Sequence, residues 1–206
     1  MKKARFIHYL HSHYTSCVII ALVSTGLLVL PFTLTEQLTL SEVGITQGQL
    51  WRLVTGHFVH TNSWHYLLNI TGLALTWFLF AEHLRHMRVL GAVIVNTVGL
   101  SLVLWWFDGL ADIAWYAGLS GTLHGLFAFA LVLELQRPRI STFALIALGI
   151  GKLLFEQLGG STDSTAALIN ASVAIHAHLF GAVLGTIYGF VILGISYLEN
   201  RSTKRK

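Results

Sequence analysis

Six stretches of this chain run for about the thickness of a bilayer and are dominated by apolar residues: 16–34, 64–82, 89–107, 120–136, 140–156 and 174–197. A helix needs about 20 mostly apolar residues to cross the hydrocarbon core. In lipid every backbone polar group must find a partner inside the protein, which favours helices that satisfy their own backbone. The runs therefore predict an all-α membrane protein, a six-transmembrane-helix bundle forming a single domain over residues 1–206. Composition agrees: 54% of the residues are hydrophobic and only 11% are charged, against about 25% charged in a soluble domain. Mean hydropathy is +0.68 and the pI is near 9.4. The formal charge of +4 does not point to nucleic acid, because the basic residues are not gathered on one water-facing surface. Cys17 is the only cysteine, so no intrachain disulfide can form. The first apolar run starts late and lacks a small-residue cleavage pattern behind it, so it is expected to stay as a span.

Orientation follows from Lys and Arg. Lys2, Lys3 and Arg5, Arg85 and Arg88, Arg137 and Arg139, and the tail Arg201, Lys204, Arg205 and Lys206 include all but two of the 13 basic residues. The positive-inside rule then makes both termini cytoplasmic. Glu36, Glu42, Asp108, Asp112, Glu156 and Asp163 fall on the opposite side, with Arg52 and Lys152. Ser120 consequently lies toward the outer face. The fourth and fifth runs are short for full spans, so the backbone entering the fourth, Gly118-Leu119-Ser120, must line a cavity or water.

Two outer loops are more than turns. Residues 35–63 contain the amphipathic stretch Gln49-Leu50-Trp51-Arg52-Leu53-Val54-Thr55-Gly56-His57-Phe58, whose Trp and Arg suit a membrane interface. Residues 157–173 are small and polar, with few packing anchors. They read equally as a lid or as a plain connector.

Strongly polar side chains within spans are rare and default to functional-site hypotheses. His65 and Asn69 in the second span, Ser120 at the start of the fourth and His178 in the sixth all fall in outer halves. His65 and Asn69, at i and i+4, share a helix face. Taken singly, the Asn reads as interhelical glue, the Ser as an N-cap and each His as a satisfied core residue. Their coincidence at one depth is what points to chemistry. A serine hydroxyl becomes a nucleophile when a base takes its proton, and neutral imidazole is the usual base. A helix N-terminus at Ser120 supplies unpaired N–H groups and a positive dipole end against a developing oxyanion. Gly118 and Gly121 let backbone approach closely.

Two histidines could be the base. His124, at i+4 from Ser120, leans back toward the same turn. His178 arrives from another helix, and the Gly181/Gly185 seam beside it matches Gly121/Gly125 on the fourth span, which favours close packing and the choice of His178.

At these residues the sequence resembles the rhomboid intramembrane serine proteases. The matching elements are Trp51-Arg52, Thr55-Gly56-His57-Phe58-Val59-His60 leading to His65-Tyr66-Leu67-Leu68-Asn69, then Gly118-Leu119-Ser120-Gly121, and Ala177-His178 followed by Gly181 and Gly185. The resemblance implies Ser120 as nucleophile and His178 as base, without a third acidic member. It also implies that His65 and Asn69, with the N–H of Ser120, stabilise the oxyanion. The compact layout and Gly118 to Gly125 look most like rhombosortases, which implies substrates with a Gly-Gly motif before a C-terminal membrane helix and a basic end. The partners implied are single-span membrane proteins with a C-terminal anchor, and the lipid bilayer. The expected location is a bacterial inner membrane, with the site facing the periplasm. His124 stands where many rhomboids place an aromatic residue, and reads as an imidazole packing on or hydrogen-bonding near His178.

Two other classes stay in view. A catalytically silent rhomboid-like binder of membrane helices would not need Ser120, His178 and the His65/Asn69 pair together. A transporter would show midplane charges or broken helices in repeated halves. No cofactor or metal is expected: His8, His11, His13, His57, His60 and His176 occur without HExxH or HxxEH spacing, and read as interfacial or packing residues.

Overall fold

The computed structural model describes residues 2–106 and 114–203. Asp108, Asp112, Lys204, Arg205 and Lys206, counted above for orientation, lie outside the described residues, as does the last residue of the third run. In chain order the elements are α1 (Lys2–Leu28), α2 (Phe32–Leu38), β1 (Leu40–Ser41), α3 (Glu42–Thr46), α4 (Arg52–Thr55), α5 (Ser63–Phe80), α6 (His86–Ile94), a π-helical turn (Val95–Gly99), α7 (Leu100–Trp106), β2 (Trp115–Tyr116), α8 (Ser120–Glu134), α9 (Ile140–Gln157), α10 (Asp163–Ile169) and α11 (Ile175–Thr203). Among the described residues, His86–Trp106, Ile140–Gln157 and Ile175–Glu199 are long and apolar enough to cross a membrane, and Ser12–Leu28 and Ser120–Glu134 are shorter apolar helices. The first run extends past its helix. α1 stops at Leu28 and α2 begins after Pro31, because the residue before a proline is pushed out of helical geometry.

α8 is the hub. It packs most extensively on α11 and also meets α5, α6 and α9. Leu126, Phe129 and Leu133 of α8 join Leu73, Trp77 and Phe80 of α5 in the main apolar core. The contact with α11 depends on glycine: a Cβ on Gly181 would fall on the carbonyl of Gly121, and one on Gly185 on the carbonyl of Gly125. The paired seams thus let the two backbones touch. α9 differs, burying only Thr142 and Glu156. Its start is fixed by the Arg139 N–H donating to Thr142 Oγ1 at 2.9 Å, just after Pro138.

Residues 35–63 fold into a small scaffold. Arg52 is buried. Its Nη1 donates to the carbonyls of Glu36 and Thr39, and its Nε to Gln49 Oε1 at 2.6 Å. A guanidinium carries five donors in a fixed fork, so one side chain ties α4 to α2 and to the Thr39 that follows it; Trp51, half-exposed, donates from Nε1 to the Gln37 carbonyl at 3.2 Å. β1 pairs antiparallel with β2, Leu40 opposite Tyr116 and Ser41 opposite Trp115. The segment thereby holds the entry to α8.

The 157–173 connection also has more structure than its composition indicates. It contains α10, and its end is anchored across the site: Thr61 Oγ1 donates to the Ile169 carbonyl at 2.6 Å and Asn62 Nδ2 to the Leu168 carbonyl at 3.0 Å.

Candidate active site

Ser120 opens α8, preceded by Leu119 in helical geometry with no side-chain cap. The first N–H groups of a helix have no intrahelical acceptor, so the turn at Ser120 presents donors outward. Gly118 sets this entry. Its φ of +122° is a backbone region that disfavours other residues, and a Cβ there would lie 2.6 Å from the His65 ring. The loop is pinned from both sides: Gly118 N–H donates to the Gly56 carbonyl at 3.0 Å, and the Tyr116 hydroxyl donates to the Gly118 carbonyl at 2.7 Å while accepting from Gly121 N–H at 3.3 Å.

Of the two candidate bases, His178 meets the hydroxyl. Its Nε2 lies 3.0 Å from Ser120 Oγ, and the residue is buried. His124 reaches back along α8, as its spacing predicts, but its Nδ1 lies 2.7 Å from the Ser120 carbonyl oxygen rather than the hydroxyl. The two imidazoles stack, with centroids 4.2 Å apart and planes 19° from parallel.

His65 and Asn69 are both buried on the face of α5 that looks toward Gly118 and Ser120. α5 begins at Asn62, whose Oδ1 accepts from His65 N–H at 2.8 Å. His65 Nδ1 faces the backbone N–H of Thr61 at 3.4 Å. Nδ1 also lies 3.1 Å from Thr61 Oγ1, whose own hydrogen goes to the Ile169 carbonyl, and the Nε2 edge of the ring faces Gly118. Asn69 Nδ2 donates one hydrogen to the His65 carbonyl at 3.1 Å. These groups and Ser120, His124 and His178 line one cavity of about 860 Å³, otherwise walled largely by apolar side chains of α5, α8 and α9. A hydroxyl bonded to an imidazole, beside a helix N-terminus and the Asn69 amide, can add to a carbonyl and stabilise the resulting oxyanion.

His57 stands apart from this chemistry. Fully buried, it bridges Ser101 Oγ and Thr122 Oγ1, each at 3.0 Å. Burial pushes its imidazole down to about 3, so it is a neutral structural bridge between the scaffold and α8. His60, also buried, packs edge-on against His65 and Tyr66.

Two residues that the sequence reading counts only as outer-side charges stand at the site: Lys152 lines the cavity and Glu156 backs His178. Lys152 and Glu156 lie on α9, and Glu156 is buried with its carboxylate against His178 Nδ1, at 3.1 Å from Oε1 and 3.0 Å from Oε2. Lys152 Nζ donates to Glu156 Oε2 at 2.8 Å and lies 2.7 Å from His124 Nε2. The resemblance implies a dyad without an acidic member; in this chain a carboxylate stands against the candidate base. The signal was present in the sequence: a Lys and a Glu at i and i+4 inside an otherwise apolar run. The charge count used them only for orientation.

A family model for the Rhomboid domain matches residues 47–195. The chain is 26% identical over 145 residues to the rhomboid protease GlpG of Yersinia enterocolitica, covering 69% of this chain and 48% of that protein. It is 28% identical over 158 residues to the putative rhomboid protease YdcA of Bacillus subtilis, covering 73% and 71% respectively. A GlpG of Serratia proteamaculans is 28% identical over 145 residues, again 69% of this chain and 48% of that protein. The chain thus spans about half the length of the GlpG relatives it matches. With the match running from the scaffold before α5 to the body of α11, through each element that lines the cavity, the chain belongs to the rhomboid family and is an integral membrane protein.

Proposed function

We propose that the protein is an intramembrane serine endopeptidase in which Ser120 is the nucleophile and His178 the general base. The observation that carries this reading is the 3.0 Å contact between Ser120 Oγ and His178 Nε2 at the start of α8. Family membership and the names of its relatives support it. Six helices cross the bilayer, α6 to α7 counting as one, with both termini cytoplasmic and the cavity facing the periplasm of a bacterial inner membrane. A substrate segment unwinds into the cavity and Ser120 adds to its carbonyl carbon while the hydroxyl proton passes to Nε2 of His178. The oxyanion takes hydrogen bonds from His65, Asn69 and the Ser120 N–H. His178 then protonates the departing amine, and water hydrolyses the acyl-enzyme unless an amine intercepts it.

The substrate class is proposed from the rhombosortase resemblance. A single-span protein with an outer Gly-Gly junction, an apolar helix and a basic cytoplasmic tail has the required orientation. Gly-Gly also resists helix formation, which exposes the backbone to attack. The decisive experiment is fluorophosphonate labelling of the purified protein in lipid, together with cleavage of such a substrate. Labelling at Ser120, lost in Ser120→Ala, and cleavage lost by at least about 10³-fold in both Ser120→Ala and His178→Ala, are the expected results. The double variant should be no worse than either single one. No labelling by a folded protein that still binds the substrate helix would instead establish a silent binder. A Leu-Leu junction cleaved as fast as Gly-Gly would remove the small-residue requirement and leave the peptidase standing.

A further inference from the structure

Every polar atom around the candidate base has a definable hydrogen-bonding role, and the roles close into one circuit. A backbone carbonyl only accepts. The Ser120 carbonyl, 2.7 Å from His124 Nδ1, therefore requires a proton on that nitrogen. In the neutral ring Nε2 is then an acceptor, matching the Lys152 ammonium 2.7 Å away. Lys152 donates next to Glu156 Oε2 at 2.8 Å. The Glu156 carboxylate, which only accepts, meets His178 Nδ1 at 3.0 to 3.1 Å. His178 Nδ1 then carries its proton, leaving Nε2 with a lone pair aimed at Ser120 Oγ.

One contact gives the circuit its purpose. Lys152 Nζ also lies 3.0 Å from His178 Nδ1. Without a carboxylate between them the ammonium would donate to Nδ1 and force the proton to Nε2. An imidazole protonated at Nε2 cannot take the serine proton. Resting on the peptidase reading above, we propose that Glu156 is a positioning residue that holds His178 in the Nδ1–H tautomer, against Lys152 as a competing donor, making the site a Ser120–His178–Glu156 constellation. When Ser120 forms its bond to carbon, the proton moves from Oγ to Nε2 and later to the departing amine nitrogen. The Nδ1 proton remains shared with Glu156, which gains no proton of its own. Lys152 and His124 hold the carboxylate from the other side.

The test uses the full chain in lipid, histidine-labelled with ¹⁵N, as wild type, Glu156→Gln, Glu156→Asp, Lys152→Gln/Glu156→Gln and His178→Gln, the last to assign the signals. Two quantities are read: the rate and saturation constant of fluorophosphonate labelling at Ser120, and the tautomer of His178. Glu156→Gln is expected to slow labelling at saturation by about 100-fold or more, with the saturation constant unchanged and the His178 signals shifted to the Nε2–H form. Glu156→Asp should recover part of the rate. The double variant, lacking the competing ammonium, should label faster than Glu156→Gln alone. Equal labelling of wild type and Glu156→Gln overturns the proposal and leaves the peptidase intact. A slow Glu156→Gln whose His178 tautomer is unchanged, or which the second substitution does not help, also overturns it in favour of a packing role. If wild type fails to label, the peptidase reading falls. The tautomer comparison then still decides whether Glu156 orients the ring.

Discussion

α8 and α9 are adjacent along the chain, similar in length and similarly apolar, yet they are held in opposite ways. α8 is gripped by backbone, with ten of its 15 residues buried and glycines of α11 seated on its carbonyls. α9 is gripped by side chains. Between Thr142 near its start and Glu156 near its end it buries nothing, and Leu148, Ile150 and Leu154 are exposed on it. Hydropathy cannot separate these cases, because lipid is as apolar as a protein core and rewards the same residues. The difference lies in shape on one helix and in a few polar anchors on the other. It also divides the candidate site: the nucleophile sits on the helix that cannot shift without unpacking the core, whereas the carboxylate behind the base comes from a helix that fully buries only two side chains.

Attacking the backbone grip should have the largest effect. Gly185→Val puts a branched side chain on the Gly125 carbonyl. It is expected to lower stability by about 3 kcal/mol or more and to abolish Ser120 labelling, read by a thermal melt and a probe gel. If labelling survives, α8 and α11 are less rigidly joined than the seam implies. Next comes Asn69→Ala, on the α5 wall facing α8. Removing one oxyanion donor costs about 3 to 4 kcal/mol in barrier elsewhere, so turnover should fall about 10²- to 10³-fold with little change in melting temperature. The reverse outcome, a lower melt with turnover near normal, would make Asn69 interhelical glue.

On the α9 side the effects should be smaller. Thr142→Ala removes the cap contact to Arg139 and is expected to cost about 1 kcal/mol, with labelling retained. Leu148→Ala, on the exposed stretch, should change stability by less than about 0.5 kcal/mol. A loss of 2 kcal/mol or more there, measured in the same lipid, would show that α9 packs on another surface and would weaken the contrast with α8.

Much of this was readable in the sequence, and the exceptions have a common cause. Ser120, His178, His65 and Asn69 could be grouped because polar side chains at one depth in apolar runs are few. The Gly121/Gly125 and Gly181/Gly185 spacing indicated which helices touch. Glu156 and Lys152 enter the sequence reading only as outer-side charges, because a charge count records side of membrane and not burial or direction. Arg52 shows the same limit: its residue type suits an interface, but the carbonyls of Glu36 and Thr39 that it binds lie 16 and 13 residues upstream. The first apolar run overshoots α1 because hydropathy continues through Pro31, whereas helical geometry does not. Periodicity and composition report averages along the chain, while these contacts depend on one atom meeting another across it.

Gly118 carries a consequence for how such a chain can change. The hydrogen that stands in place of its side chain leaves room for the ring of His65, 53 positions earlier, whose own Nδ1 is tied to Thr61. The two positions therefore form a single heritable unit: a variant library that randomises 118 alone samples only damaged pockets, and one that randomises 65 alone leaves an unfilled notch beside a strained turn. Remodelling this pocket requires both letters to be rewritten together, with the hand of the backbone at 118 kept.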